Sequence, residues 1–153
     1  MVRILVMIIA FVGAAAQAWA TDMTLTVTAG GKQSVYSVED LESLGTQGFE
    51  TTTSWTDGPQ FFEGVLLSDI ARAHGIETGV VAVAAINGYE ADIDVAEILA
   101  YPVLLATRMN GERMAIRDKG PFWVVYPRDD FPELADEQHN FKWVWQVSSL
   151  EFR

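Results

Sequence analysis

The chain has 153 residues, 50% of them hydrophobic and 20% charged, with five Trp and no Cys, the make-up of one packed globular domain rather than a disordered or multidomain chain. A net charge of -11 opposes binding to nucleic acid or to an anionic membrane surface. Without Cys there can be no disulfide, thiolate metal site, cysteine nucleophile or lipidated N-terminal cysteine, and two His, His74 and His139, leave little for a His-rich metal site.

In chain order, residues 1–20 read as a secretory signal. Arg3 gives a positive start, Ile4 to Ala16 is apolar or small, and Ala18-Trp19-Ala20 places small residues where a signal peptidase reads them. The apolar run is short for a membrane span, so cleavage after Ala20 is expected to leave residues 21–153 as a single exported domain with no direct membrane insertion. Met23, Leu25 and Val27 alternate with threonines before Gly30-Gly31, which predicts a hairpin returning through Gln33–Tyr36. Ser37 and Asp40 have capping-box spacing, and Leu41 and Leu44 complete a two-turn helix that stops at Gly45. Phe49–Trp55 reads as a strand, Thr56–Pro59 as a turn, and Phe61–Gly75 as a second short helix.

Val80–Ile86 is an apolar strand, Asn87-Gly88 a hairpin turn, and Tyr89, Ala91 and Ile93 alternate with acids on the returning strand. Val95–Ala100 predicts a short helix, closed off by Pro102. Val103–Met109, Asn110-Gly111 and Glu112–Ile116 repeat the strand, turn, strand pattern. Phe122–Tyr126 is a further strand, Arg128–Asn140 a polar acidic loop, and the alternation of Phe141, Trp143, Trp145 and Val147 predicts the last strand. The sum is an α+β domain, mostly β, with short helices between strands.

Charge is unevenly spread: residues 21–100 hold 13 acids and 2 bases, residues 101–153 hold 8 acids and 7 bases. Catalytic motifs are weak. No Gly-x-Ser-x-Gly elbow accompanies either His, and the pairs Asp92/Asp94 and Asp129/Asp130 read as solvated faces. A hard-cation site from Asp129, Asp130, Asp136 and Glu137 lacks the spacing and glycine of a calcium loop. More informative are Trp55, Tyr89, Trp123, Tyr126, Trp143 and Trp145, which lie near strand ends beside turn residues, where flat side chains can line a cavity for a flat heterocycle.

These segments, in this order, resemble the sulfite-oxidase-type molybdopterin-binding domain. Trp55 followed by Gly64-Val65-Leu66-Leu67-Ser68-Asp69 is similar to the family's Trp and its Gly-Val-x-Leu-x-Asp helix start. Ile86-Asn87-Gly88-Tyr89 resembles its Asp-Gly-Tyr turn, and Leu104–Gly111 its Leu-Ala-x-x-x-Asn-Gly hairpin. Gly120–Pro127 resembles its Gly-x-Pro-Leu-Arg-x-x-x-Pro strand, and Lys142-Trp143 its closing Lys-Trp. Two departures stand out. Family enzymes hold molybdenum through a cysteine shortly before the first Trp, where this chain has Thr51-Thr52-Thr53, and a hydroxyl is a poor substitute for a soft thiolate. Trp123 stands where the family strand has its arginine, which suits a flat ring rather than a phosphate.

With those changes the chain resembles the small exported members that bind simple pterins instead of the molybdenum cofactor and report to a membrane-bound enzyme controlling cyclic di-GMP. The resemblance implies a periplasmic, non-catalytic pterin sensor. Its expected site is a cleft of Trp123 and Tyr126 with Trp55 and Tyr89 from neighbouring turns, flanked by Arg117 and Lys119. Since Trp123 and Tyr126 are an odd number of residues apart, a flat strand points them to opposite faces, so Trp123 is the expected centre. Two alternatives stand beside this: a molybdopterin-dependent oxidoreductase or a subunit of one, which metal content would reveal, and a ligand-free interaction module with salt-sensitive partner binding.

Overall fold

A computed structural model describes residues 23–153; the expected signal segment, residues 1–20, lies outside the described residues. The described chain runs β1 (Thr24–Ala29), β2 (Lys32–Ser37), α1 (Val38–Glu42), β3 (Gln47–Thr51), β4 (Gln60–Leu66), α2 (Leu67–Ala73), β5 (Val80–Ala85), β6 (Glu90–Asp94), α3 (Val95–Ala100), β7 (Leu104–Met109), β8 (Glu112–Arg113), β9 (Trp123–Val125) and β10 (Val147–Phe152). Short 3-10 turns occupy Ile116–Asp118, Pro132–Ala135 and Glu137–Lys142. None of the described helices is long and apolar enough to cross a membrane.

The strands form two sheets. In the first the order is β2-β1-β10-β5-β6. There β1 pairs antiparallel with β2 and parallel with β10, in the register Thr26 to Ser149, and β10 continues antiparallel to β5. In the second the order is β3-β4-β7-β8, with β9 also pairing β7. Leu25 and Val27 of β1, Val81 and Val83 of β5, Val65 of β4, Leu104 and Leu105 of β7 and Val124 of β9 all enter one core, closed by Ile70 of α2 and Ile98 of α3. The mostly-β α+β class expected from the alternation is what the chain adopts.

Local chemistry explains the joints. Ser37 and Asp40 form the reciprocal cap: the Asp40 N–H donates to Ser37 Oγ at 3.1 Å and the Ser37 N–H to Asp40 Oδ2 at 3.0 Å. These bonds hold the Asp40 carboxyl below its ordinary pKa, the backbone bond chiefly. Gly64 sits where the register of β4 against β7 shifts, and a Cβ there would collide with the Leu105 carbonyl oxygen. Beyond it Glu42 of α1 accepts from the Thr107 hydroxyl at 2.8 Å and from Arg113 Nη1 at 3.2 Å, with Arg108 Nε at 3.5 Å. Partial burial alone would raise the Glu42 carboxyl, but Thr107, Arg113 and Arg108 together hold it below the usual range.

Three sequence expectations change. Phe61–Leu66 is not helical: it belongs to β4, between β3 and β7, and the helix starts only at Leu67. Burial of Phe62 and Val65–Leu66 in that inner strand gives an apolar run that mimics a helix face. The strand expected at Glu112–Ile116 shortens to Glu112–Arg113 and turns into the 3-10 segment. The final strand is Val147–Phe152, whereas Phe141 lies within a 3-10 turn and residues 143–146 run outside any ladder except for a bridge from Trp145 to Trp123.

Candidate functional site

Residues 143–147 form a wall because backbone groups fix both of their sides. On one side the Val124 N–H donates to the Val144 carbonyl at 2.8 Å and the Val147 N–H to the Phe122 carbonyl at 3.0 Å. The Gln146 N–H donates to the Lys119 carbonyl at 3.0 Å, joining two non-glycine residues of positive φ, 52° at Gln146 and 72° at Lys119. On the other side the Ile86 N–H donates to the Gln146 carbonyl at 2.9 Å, which brings the turn after β5 alongside. Left-handed backbone at two non-glycine residues is costly and persists only where the surroundings over-determine it.

Trp55 stands opposite this wall. Its ring centroid lies 5.3 Å from that of Trp145, 5.8 Å from Trp143 and 6.4 Å from Trp123. The threonine run before it sets its place. Thr51 is fully buried, Thr52 gives its N–H and hydroxyl to the Asp129 carboxylate at 2.7 and 2.6 Å, and Thr53 Oγ1 accepts the Trp55 N–H at 3.0 Å. Asp129 thus anchors this loop. Among the described residues no group of three or more His, Cys, Asp or Glu could hold a metal ion.

Between these walls lies a cavity of about 350 Å³ faced by Trp55, Trp143 and Trp145, with Tyr89 and Phe141 at its sides and Asn87 and Asn140 as its polar contributors. Tyr89 donates its hydroxyl to the Phe141 carbonyl at 2.7 Å, and its own N–H is received by Asn87 Oδ1 at 3.0 Å. Asn140 Nδ2 reaches Ser54 Oγ at 3.3 Å, where Arg128 Nη1 also donates at 3.3 Å.

Of the residues expected at the site, Trp55 and Tyr89 line the cavity. Trp123 is fully buried behind it, edge-on to Trp55 and to Phe62, and its Nε1–H has no partner. Tyr126 is buried as well and faces elsewhere, donating to Glu97 Oε1 at 2.8 Å, while Glu97 also binds Lys142. Burial first, then the Glu97 charge and hydrogen bond, push the phenol far above its ordinary pKa. A cleft fronted by Trp123 and Tyr126 is thus not formed. All three residues of β9 are buried, so the strand backs the cavity instead of facing it. Arg117 is 87% exposed and pairs with Asp118 at 3.4 Å. Lys119 does flank the aromatic cluster, with Nζ 5.6 Å from the Trp123 ring centroid and 5.9 Å from that of Trp145.

Trp143 and Trp145, expected among the aromatics near strand ends but not at the site, line the cavity together with Phe141, Asn87 and Asn140, which the expected site does not include. The signal for the three aromatics was the period-two spacing of Phe141, Trp143 and Trp145, and for Asn87 its place in the Asn87-Gly88 turn.

The model of the oxidoreductase molybdopterin-binding domain matches residues 14–150. The chain belongs to that family. No curated protein matches the chain. The molybdopterin-binding domain here departs from what a molybdenum centre needs. There is no thiol anywhere in the sequence, and at Thr51–Thr53 the hydroxyls are turned to Thr52 O, Asp129 and Thr56. These residues do not fit the metal end of the cofactor, whereas three indoles around one cavity do fit a flat ring.

Proposed function

We propose that the chain is an exported, non-catalytic pterin-binding protein, acting in the periplasm and reporting occupancy of its aromatic cavity to a membrane-bound partner of the cyclic di-GMP type that the family resemblance implies. The observation that carries this reading is the cavity between Trp55, Trp143 and Trp145 in a chain without the thiol that would ligate molybdenum. Its volume of about 350 Å³ falls within the usual range for small-molecule pockets. The mixture of apolar rings with Asn87 and Asn140 suits a heterocycle that stacks on its faces and hydrogen-bonds at its edge. A primary amide offers both a carbonyl acceptor and an N–H₂ donor, the pair that a pterin's amide edge requires.

The test is tryptophan-fluorescence titration of the purified chain with neopterin and related reduced pterins, with Trp55→Ala alongside and molybdenum measured in the same sample. Saturable quenching that Trp55→Ala removes, without stoichiometric molybdenum, supports the reading. Stoichiometric molybdenum with no pterin response would give the site to an oxidoreductase.

A further inference from the structure

We infer that the mouth of this cavity is covered by a second copy of the chain, set against the first across a twofold axis. The inference does not depend on what the cavity holds, only on the strip of surface around its opening.

Exposed apolar side chains mark the strip. Among the described residues Val35, Phe61 and Leu99 are exposed singly, on β2, β4 and α3, as surface hydrophobics ordinarily are. Ile86, Tyr89, Ile116 and Phe141 are exposed as well, but these four adjoin one another. Tyr89 and Phe141 line the cavity and are joined through the tyrosine hydroxyl. Ile86 lies between the cavity residues Ala85 and Asn87. Gln146, next to the cavity residue Trp145, ties Ile86 to Ile116: its carbonyl accepts the Ile86 N–H at 2.9 Å and its Nε2 donates to the Ile116 carbonyl at 2.6 Å. With Ile86 53% and Phe141 52% exposed, this is a contiguous apolar patch of the kind that marks a contact surface.

Charge says what covers it. The hydrogen bonds string the four residues in the order Ile116, Ile86, Tyr89, Phe141, and the two ends differ in sign. Beside Ile116 stand Arg117, Asp118 and Lys119, a net positive end. Phe141 belongs to the 3-10 turn Glu137–Lys142, which Asp136 caps, and Asp136 and Glu137 are both exposed. Lys142 of that turn is paired with Glu97 and only 13% exposed, so this end is net negative. A strip that is positive at one end, apolar in the middle and negative at the other fits a copy of itself turned end for end, which is what a twofold axis supplies. A partner of uniform sign, acidic or basic, would be attracted at one end and repelled at the other. Elsewhere two copies repel, since residues 21–100 hold 13 acids against 2 bases.

Coverage acts on the cavity. Trp55 and Trp145, half-buried, face its interior. With a second copy across the mouth, a solute reaches them only through the free monomer, so access to the cavity and self-association are linked.

The experiment is sedimentation velocity of the purified chain in about 0.15 M salt, from about 5 to about 500 μM, with front-face acrylamide quenching of tryptophan fluorescence at both ends of that range. A monomer–dimer equilibrium is expected, with weaker quenching where the dimer prevails. Ile116→Glu and Ile86→Glu, neither of which alters the cavity lining, are each expected to weaken association about tenfold or more. Arg117→Glu is expected to weaken it several-fold, and Arg117→Glu combined with Glu137→Arg, which exchanges the two ends, to restore it. A chain that stays monomeric throughout overturns the inference, as does a dimer that withstands Ile116→Glu and Ile86→Glu or leaves the quenching unchanged. A double charge variant no tighter than Arg117→Glu alone overturns the twofold arrangement. Should one glutamate variant fail to fold, the other and the charge exchange decide. None of these outcomes bears on the flat-ring reading of the cavity, which the neopterin titration tests separately.

Discussion

Around Glu42 a carboxylate, a hydroxyl and two guanidinium groups close on one another, whereas around Trp55 the Trp123, Arg128 and His139 nitrogens find nothing in the protein to bond. Both regions border the second sheet and both are partly shielded from water. The difference lies in what each serves. At Glu42 the polar groups hold α1 to β7 and β8, so the fold itself supplies every partner that cluster uses. In the aromatic region three buried nitrogens stay unpartnered within the protein, at a cost the rest of the molecule offsets.

The comparison can be broken most severely at Trp143, which is 2% exposed and touches Trp55, Trp123 and Tyr126. Trp143→Ala is expected to destabilise the fold by about 3–5 kcal/mol in urea unfolding. A cost near zero would mean that the cavity wall is not part of the core. Glu42→Gln keeps the shape of the paired cluster and removes its charge, and about 1–3 kcal/mol should go with it. Because Glu42 is held below its ordinary pKa, its stabilisation is full above the unfolded carboxyl range and disappears as pH falls through the lowered value. The acid limb of stability against pH should therefore be shallower in Glu42→Gln than in the wild type; identical limbs would remove Glu42 from the account.

Ser37→Ala, which takes away the cap of α1, should cost about 1 kcal/mol by the same measurement. The smallest effect sharpens the contrast. Lys119→Met also deletes one charge, yet with no carboxylate to lose it should shift stability by no more than about 0.5 kcal/mol. A larger loss would mean that the contacts of Lys119 with Trp123 and Trp145 hold the fold as the Glu42 cluster does.

Local signals in the sequence located the joints well. Asn110-Gly111 turns between β7 and β8 with both residues at positive φ, Gly88 does the same between β5 and β6, and Ser37 with Asp40 caps α1 as their spacing implies. Misreadings came where burial replaced pattern. Inside the second sheet β4 is covered on both faces near Leu66, so its period is hidden, although Gly64 and the aromatic pair Phe61-Phe62 already argued for a strand. The alternation of Phe141, Trp143 and Trp145 was real but belonged to a cavity wall, since Gln146 leaves the extended region before β10 begins. Trp55 and Tyr89 could be found because turn residues place aromatics at strand ends. That Trp123 would lie behind Trp55 depended on the pairing of β9 with β7, which no local pattern encodes.

The parallel pairing of β1 with β10 has a consequence for when the molecule can take shape. Thr26 meets Ser149, so the strand made first among those described waits for the one made last. Contacts so distant along the chain close slowly, and until they close the β1–β2 hairpin keeps a bare edge that can pair with a neighbouring copy. The first sheet cannot be completed on the ribosome ahead of its final strand. The β1–β2 hairpin therefore stays uncovered on that side for nearly the whole of the chain's synthesis and needs shielding from its own kind over the same interval.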